Sequence, residues 1–226
     1  MSDSAPKISI GIIMDGNRRW ATAHGLPTLV GHEKGSAKIR EVVLWAIEEQ
    51  ISYLYLYAFS TENWNRAEVE VGYLMILFER AFKERMKDIE ELGVRIRIVG
   101  ERERFSEKLQ TLMSDIEERS KENTALTIVF CLSYGGRREI ADAISRLPEG
   151  ITVTEESISN ALWTAQMPDP DLIIRSGGEK RLSNFLPWQS VYSELFFSDT
   201  LWPDFTKEEF SRILHEYRER ERRYGS

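Results

Sequence analysis

The stretch "ISIGIIMDGNRRWA", residues 8–21, sets the fold. A run of β-forming residues ends at Met14, and Asp15, Gly16, Asn17, Arg18 and Arg19 follow at once. A near-continuous apolar run without polar alternation marks a strand buried on both faces. A Gly-Asn turn behind such a strand, leading into a helix, exposes successive backbone N–H groups that favour a bound anion. Arginines beside that turn add charge-assisted contacts.

Working outward, comparable apolar runs recur at Ser52–Ala58, Arg95–Val99, Leu126–Leu132 and Leu172–Arg175, with a weaker one at Leu195–Phe197. Helical patterns lie between and after them, at Lys34–Glu49, Glu68–Glu91, Glu103–Glu122, Arg137–Leu147, Thr154–Ala165 and Lys207–Tyr224. This alternation predicts an α/β protein: a single domain over residues 1–226, with a mostly parallel central sheet of about six strands flanked by helices. No repeat or linker divides the chain. "RLPEGITVTEES" (146–157) reads as a loop closed by Thr154 as a helix N-cap, with Ser157 three residues on.

Composition narrows the function. Of the 226 residues, 42% are hydrophobic and 30% charged, which is ordinary for a globular chain and argues against disorder. No apolar run reaches the ~20 residues of a membrane span, and "MSDSAPK" lacks the build of a signal peptide. The net charge of −7 argues against a nucleic-acid partner. The one cysteine, Cys131, excludes an intrachain disulfide, which points to a cytoplasmic setting, and inside "LTIVFCL" it reads as a small buried hydrophobe.

In open parallel sheets ligands bind outside the carboxyl ends of the strands. The segments there are "DGNRRW" (15–20), "FSTENWNR" (59–66), "SYGGRRE" (133–139) and "RSGGEKRLSNF" (175–185), all polar and three of them carrying arginine. Two arginine-bearing turns in one cleft suggest two phosphorylated groups brought together. Asp15 would repel such an anion, so its presence suggests a Mg²⁺ between carboxylate and phosphate; a plain helix cap is the alternative reading. On the helix after Glu68, Leu74, Phe78, Phe82 and Met86 repeat every four residues. That face reads first as core, and otherwise as the wall of a channel for an apolar ligand. Neither G-x-x-x-x-G-K-[ST] nor G-x-G-x-x-G is present, DDxxD is absent, and the three histidines lack metal-ligand spacing.

Taken together, "MDGNRRWA", "GHEKG", "YAFSTENWNR", "SYGGRREI", "RSGGEKRLSNFLPWQSVYSELFF", "LWPDF" and "RERRYG" make the chain resemble the cis-prenyltransferases, the undecaprenyl diphosphate synthase family, from about Ile10 to Gly225. The resemblance implies a homodimer with an elongated hydrophobic tunnel. Its activity would be Mg²⁺-dependent sequential condensation of isopentenyl diphosphate onto an allylic diphosphate such as farnesyl diphosphate, giving a Z-polyprenyl diphosphate of undecaprenyl type. A short-chain cis synthase and a non-catalytic partner subunit are the alternatives. By resemblance, Asp15 is the Mg²⁺-linked catalytic carboxylate and Glu194 a second metal ligand. Gly16, Asn17, Arg18, Arg19, Thr28, His32, Thr61, Glu62 and Arg66 belong to the allylic diphosphate site. Ser60 and Asn63 bear on proton removal, and Trp20, Phe59 and Trp64 on prenyl positioning. Arg175, Arg181, Leu182 and Ser183 belong to isopentenyl diphosphate, with Arg223 and Gly225 reaching the partner subunit's site. An amphiphilic product implies peripheral membrane contact. The chain also departs from the pattern: Thr28 stands where the family often has arginine, and Arg18 where many bacterial members have glycine, so Arg18 would have to compensate. Tyr73 replaces a smaller residue and would shorten the tunnel.

Overall fold

The computed structural model describes residues 8–220, apart from the side chains of residues 85 and 86. Six strands, β1 (Ile8–Ile13), β2 (Ile51–Ser60), β3 (Val94–Val99), β4 (Leu126–Tyr134), β5 (Leu172–Arg175) and β6 (Glu194–Phe197), form one sheet in the order β3-β4-β2-β1-β5-β6. Every pairing is parallel. The helices are α1 (Asn17–Ala23), α2 (Thr28–Glu48), α3 (Glu68–Arg80), α4 (Met86–Glu90), α5 (Glu107–Ser120), α6 (Gly136–Ser145), α7 (Glu155–Ala161) and α8 (Lys207–Glu219). A π-helical turn, Ala81–Arg85, joins α3 to α4 where the sequence predicts one unbroken helix.

Alternation along each strand sends side chains to two separate cores. Ile10 and Ile12 of β1, with Leu54, Leu56, Ile128 and Ile174, pack beneath α2, α3, α5 and α8. Ile13, Tyr55, Val129, Cys131 and Ile173 face the other way, where Trp163, Phe185 and Leu186 cover them. Cys131 is fully buried, as its apolar context predicts.

α2 begins at Thr28, six residues before the predicted start. Its first turns carry Gly31 and Gly35, which weigh against a helix by propensity. Both are there because α1 crosses them closely. A Cβ on Gly31 would lie 2.0 Å from the Asn17 carbonyl oxygen, and one on Gly35 would lie 2.2 Å from Asn17 Oδ1. The 154–157 cap forms as predicted: Ser157 N–H donates to Thr154 Oγ1 at 3.1 Å, and Thr154 N–H to Ser157 Oγ at 2.8 Å.

β1 lies between β2 and β5. The chain winds from β1 toward β2, β4 and β3 on one side and returns to add β5 and β6 on the other. The end of β1 is thus the topological switch point, where an open α/β sheet leaves a crevice. Asp15 sits at that point.

Candidate active site

Asp15 is held at both backbone ends. Its N–H donates to Ser176 Oγ at 3.0 Å, and its carbonyl accepts the Trp202 N–H at 2.9 Å. Gly16 follows in the left-handed region (φ 111°), which turns the chain into α1; a Cβ there would meet Leu201 at 2.9 Å. The Asp15 carboxylate pairs with Arg175 Nη2 at 2.8 Å and Arg19 Nη2 at 3.3 Å. Arg175 is buried at the end of β5 and also donates to Ser183 Oγ at 2.8 Å and to the Arg181 carbonyl at 2.5 Å. Arg19 donates to the Gly177 carbonyl at 2.6 Å. Gly177 (φ 87°) leaves room for this, since a Cβ would sit 2.7 Å from Arg19 Nη2. The two arginine-bearing turns therefore meet around one carboxylate.

Two polar clefts open beside it. One, of about 670 Å³, is lined by Asp15, Arg18, Arg19, Thr28, His32 and Arg66 among others. The other, of about 620 Å³, is lined by Ser60, Asn63, Arg175, Arg181, Ser183 and Asn184 among others. Arg18 and Thr28 both line the first cleft. Five arginines thus converge on a chain with net charge −7. First-turn amides of α1 have no partner within the helix. Asn17 Oδ1 and Arg175 Nε are buried without a hydrogen-bond partner among the described residues. Asn63 Oδ1 accepts the Ser60 N–H at 3.1 Å, which fixes both residues at the cleft wall.

An apolar cavity of about 260 Å³ adjoins the clefts and shares Met14, Asn17, His32, Tyr57, Ala58 and Leu74 with the second. It runs between the sheet and α2–α3 past Leu77, Phe78 and Phe82 to Asp88 and Ile89. The four-residue repeat of α3 is therefore both core and cavity wall, because Leu74, Leu77 and Phe82 also belong to the buried cluster.

Glu70 was not singled out in the sequence, although its spacing of four from Arg66 was a readable signal. Its Oε1 takes Arg66 Nη1 at 3.0 Å and His32 Nε2 at 3.2 Å. Burial lowers the His32 pKa below the ordinary imidazole value of 6.5, against the opposing pull of Glu70. The unfolded chain thus binds more protons below about pH 6.5. Stability is expected to fall as pH drops through that value and to stay flat above it. His32→Asn should flatten the slope in thermal melts recorded between pH 5 and 8.

The structure places the remaining named residues as follows. Trp20 is turned away from the clefts, and its Nε1–H donates to Asp204 Oδ1 at 2.7 Å. Trp64 donates to Ser133 Oγ at 2.9 Å and packs on Phe59 and Phe105. Indole N–H groups seek an acceptor, and these two find theirs in the exposed Asp204 and the buried Ser133. Of the three aromatics assigned to prenyl positioning, only Phe59 lines a cleft. Tyr73 does not line the apolar cavity; it packs on the core and hydrogen-bonds Glu33. Glu194 is not brought to Asp15 within one chain. It opens β6 opposite Leu172, three residues before Arg175 and hence about 10 Å from the carboxyl ends of the strands. Its Oε2 accepts from Arg220 Nη1 at 2.5 Å. Leu182 packs in the second core, Thr61 donates to Glu62 Oε2 at 3.2 Å, and Glu62 faces Asn184. Arg223 and Gly225 lie outside the described residues.

Among the described residues no three carboxylate, imidazole or thiol groups converge on a metal position. Asp15 alone among the carboxylates named for the metal faces the clefts. A divalent cation there would take its remaining oxygens from a bound diphosphate and water, a donor set that suits Mg²⁺.

The family model described as "Putative undecaprenyl diphosphate synthase" matches residues 13–225. An isoprenyl transferase of Thermotoga maritima is 45% identical over 222 residues, covering 96% of this chain and 95% of the relative. The crystal structure of lavandulyl diphosphate synthase from Lavandula x intermedia, in complex with dimethylallyl diphosphate, superposes with a TM-score of 0.90 at 31% identity, covering 96% of this chain and 98% of that one. A "probable undecaprenyl diphosphate synthase" from Campylobacter jejuni gives a TM-score of 0.84 at 36% identity, covering 99% of this chain and 100% of that one. The chain belongs to the undecaprenyl diphosphate synthase family of prenyl transferases.

Proposed function

We propose that this protein condenses isopentenyl diphosphate with an allylic diphosphate in successive cis additions, releasing a Z-polyprenyl diphosphate of undecaprenyl type. The observation that carries this reading is a pair of clefts that share Asp15 and are lined by five arginines, adjoining an apolar cavity. Such a site suits an amphiphile with a diphosphate head and a hydrocarbon tail. Arg18, Arg19, Arg66 and the first-turn amides of α1 hold the allylic diphosphate, with His32 and Thr28 beside it. Arg175, Arg181 and Ser183 hold isopentenyl diphosphate. Asp15 would hold Mg²⁺, which when bound would help neutralise the charge on the departing diphosphate. The arginines stabilise the same developing charge from fixed positions, and the cavity keeps water from the allylic carbon. Ser60 and Asn63, on the wall of the second cleft, are assigned to the proton that leaves as the double bond is regenerated.

Homodimerisation in the cytoplasm completes the reading. Val191, Tyr192, Leu195 and Phe197 form an exposed apolar strip on and beside the edge strand β6, a surface of the kind that pairs. The reading includes peripheral membrane contact through the amphiphilic product; no helix among the described residues is long and apolar enough to cross a membrane. A short-chain product is the second reading, favoured by a cavity of only about 260 Å³. Incubation with Mg²⁺, labelled isopentenyl diphosphate and either farnesyl or dimethylallyl diphosphate, followed by sizing of extracted products, tests both. Ladders reaching about eleven isoprene units support the first, a stop after one or a few additions the second, and no incorporation with any primer overturns the proposal.

A further inference from the structure

The cleft has two walls, and one side-chain contact ties them together. Asn184 Nδ2 donates to Glu62 Oε1 at 3.0 Å, joining the turn after β5 to the short turn after β2. Asn184 is engaged elsewhere too. Its Oδ1 accepts the Arg137 N–H at 2.9 Å and its carbonyl accepts the Gly136 N–H at 2.8 Å. This accounts for the Gly-Gly of "SYGGRRE". A Cβ on Gly135 would lie 2.8 Å from Asn184 Nδ2 and 2.6 Å from Thr61 Oγ1, and one on Gly136 would lie 1.9 Å from Pro187 Cδ. Those glycines admit the 183–187 segment rather than an anion.

That segment is also the strained one. Ser183, Asn184 and Leu186 all have positive φ (50°, 66° and 47°), a costly conformation for residues other than glycine. Strain of this kind persists only where surrounding contacts over-determine it. The opposite wall needs no such help, because Ser60 and Asn63 already brace it. Burial raises the Glu62 pKa, but hydrogen bonds from Asn184, its own amide, Ser60 and Thr61 outweigh this and hold it below the ordinary carboxylate value, so it is a charged acceptor at neutral pH.

We infer that Asn184 and Glu62 form a clasp that holds Arg181 and Ser183 in their binding position, making both positioning residues for isopentenyl diphosphate and not allylic ligands. The inference rests on the function proposed above. It predicts an effect confined to one substrate, because the clasp acts on the strained wall.

Steady-state kinetics on the full chain test it. In N184D the aspartate still accepts the Arg137 N–H and tolerates positive φ, but it sets two carboxylates face to face. KM for isopentenyl diphosphate is expected to rise about fivefold, the scale of an exposed contact turned from attraction to repulsion. KM for farnesyl diphosphate should stay within about twofold. Adding E62Q reverses donor and acceptor, since the glutamine amide can donate to the new carboxylate, and should restore KM to within about twofold of wild type. The N184D defect should also shrink as pH falls from 8 to 6, when the facing carboxylates share a proton. An unchanged KM in N184D, a double variant no better than N184D, or equal rises in both KM values would overturn the clasp. Should N184D fail to fold, E62A removes the acceptor without adding charge and is expected to raise the same KM about threefold; no rise overturns the inference. Wild-type protein that forms no product overturns the functional reading and the clasp together, whereas wild-type turnover with an indifferent N184D overturns the clasp alone.

Discussion

Asp15→Asn is expected to lower kcat by about 10³-fold while leaving KM for the allylic diphosphate unchanged or lower. The amide oxygen still accepts from Arg175, so the 2.8 Å contact with that buried guanidinium survives and the fold with it. What is lost is the negative charge that the proposed function assigns to Mg²⁺. A cleft short of one negative charge attracts a diphosphate at least as well as before. The variant therefore separates binding from turnover, and steady-state kinetics beside a thermal melt reads both. If kcat stays within tenfold of wild type, Asp15 is structural and the proposed assignment fails. Asp15→Ala is the harsher companion. It leaves Arg175 without its carboxylate, and it should lose a further 1–3 kcal/mol or so, less the share that solvent screens at this partly open site.

Gly31→Ala should damage stability and allylic binding together. Its Cβ would stand 2.0 Å from the Asn17 carbonyl oxygen and 3.2 Å from Ala21 Cβ. Backbone cannot rotate away as a flexible side chain can, so α1 and α2 must part by more than an ångström. Overpacking of this kind costs about 1–3 kcal/mol. Because α1 carries Asn17, Arg18 and Arg19, its displacement should raise KM for the allylic diphosphate about tenfold. Gly72→Ala is the control: nothing lies within 4 Å of its added Cβ on α3, and the change should be neutral or stabilising by up to about 1 kcal/mol. Urea denaturation of both variants checks the stability half. A Gly31→Ala protein as stable as wild type would mean that the helix crossing is looser than its contacts imply.

Five strands were legible to within three residues at each end because each reads as an apolar run bounded by turn residues, and the shortest, Leu172–Arg175, fell where predicted. Even the weak sixth was off by one residue. The start of α2 was hidden because its glycines follow tertiary contact with Asn17 against local propensity. The π-turn was equally hidden, since Ala81–Arg85 continues the helical pattern without a break. In the cleft, strand ends could be read but side-chain direction could not. Asp15, Arg66, Arg175 and Ser183 line a cleft after the ends of strands whose parallel arrangement the alternation implied. Trp20 and Trp64 turn away from the clefts to acceptors, Asp204 and Ser133, that lie far off in sequence. Glu194, named for the metal by resemblance alone, opens β6 at the far end from Asp15 within one chain, a placement that no local pattern in the sequence announces.

The central place of β1 also bears on how the chain is made. β1 is the first strand to be synthesised, yet its partner on one side, β5, lies about 160 residues later, as the separation of Asp15 and Arg175 records. At ribosomal rates of about 5–20 residues per second, that edge waits roughly 8–32 s for its neighbour. Through that interval Ile10, Ile12 and Ile13 border an open row of backbone donors and acceptors, the exposure that invites wrong pairing. The β1–β5 junction beside Asp15 is thus a late seam of the sheet, followed only by the pairing of β6 on β5. A nascent chain stalled before residue 172 would carry Asp15 without its buried arginine.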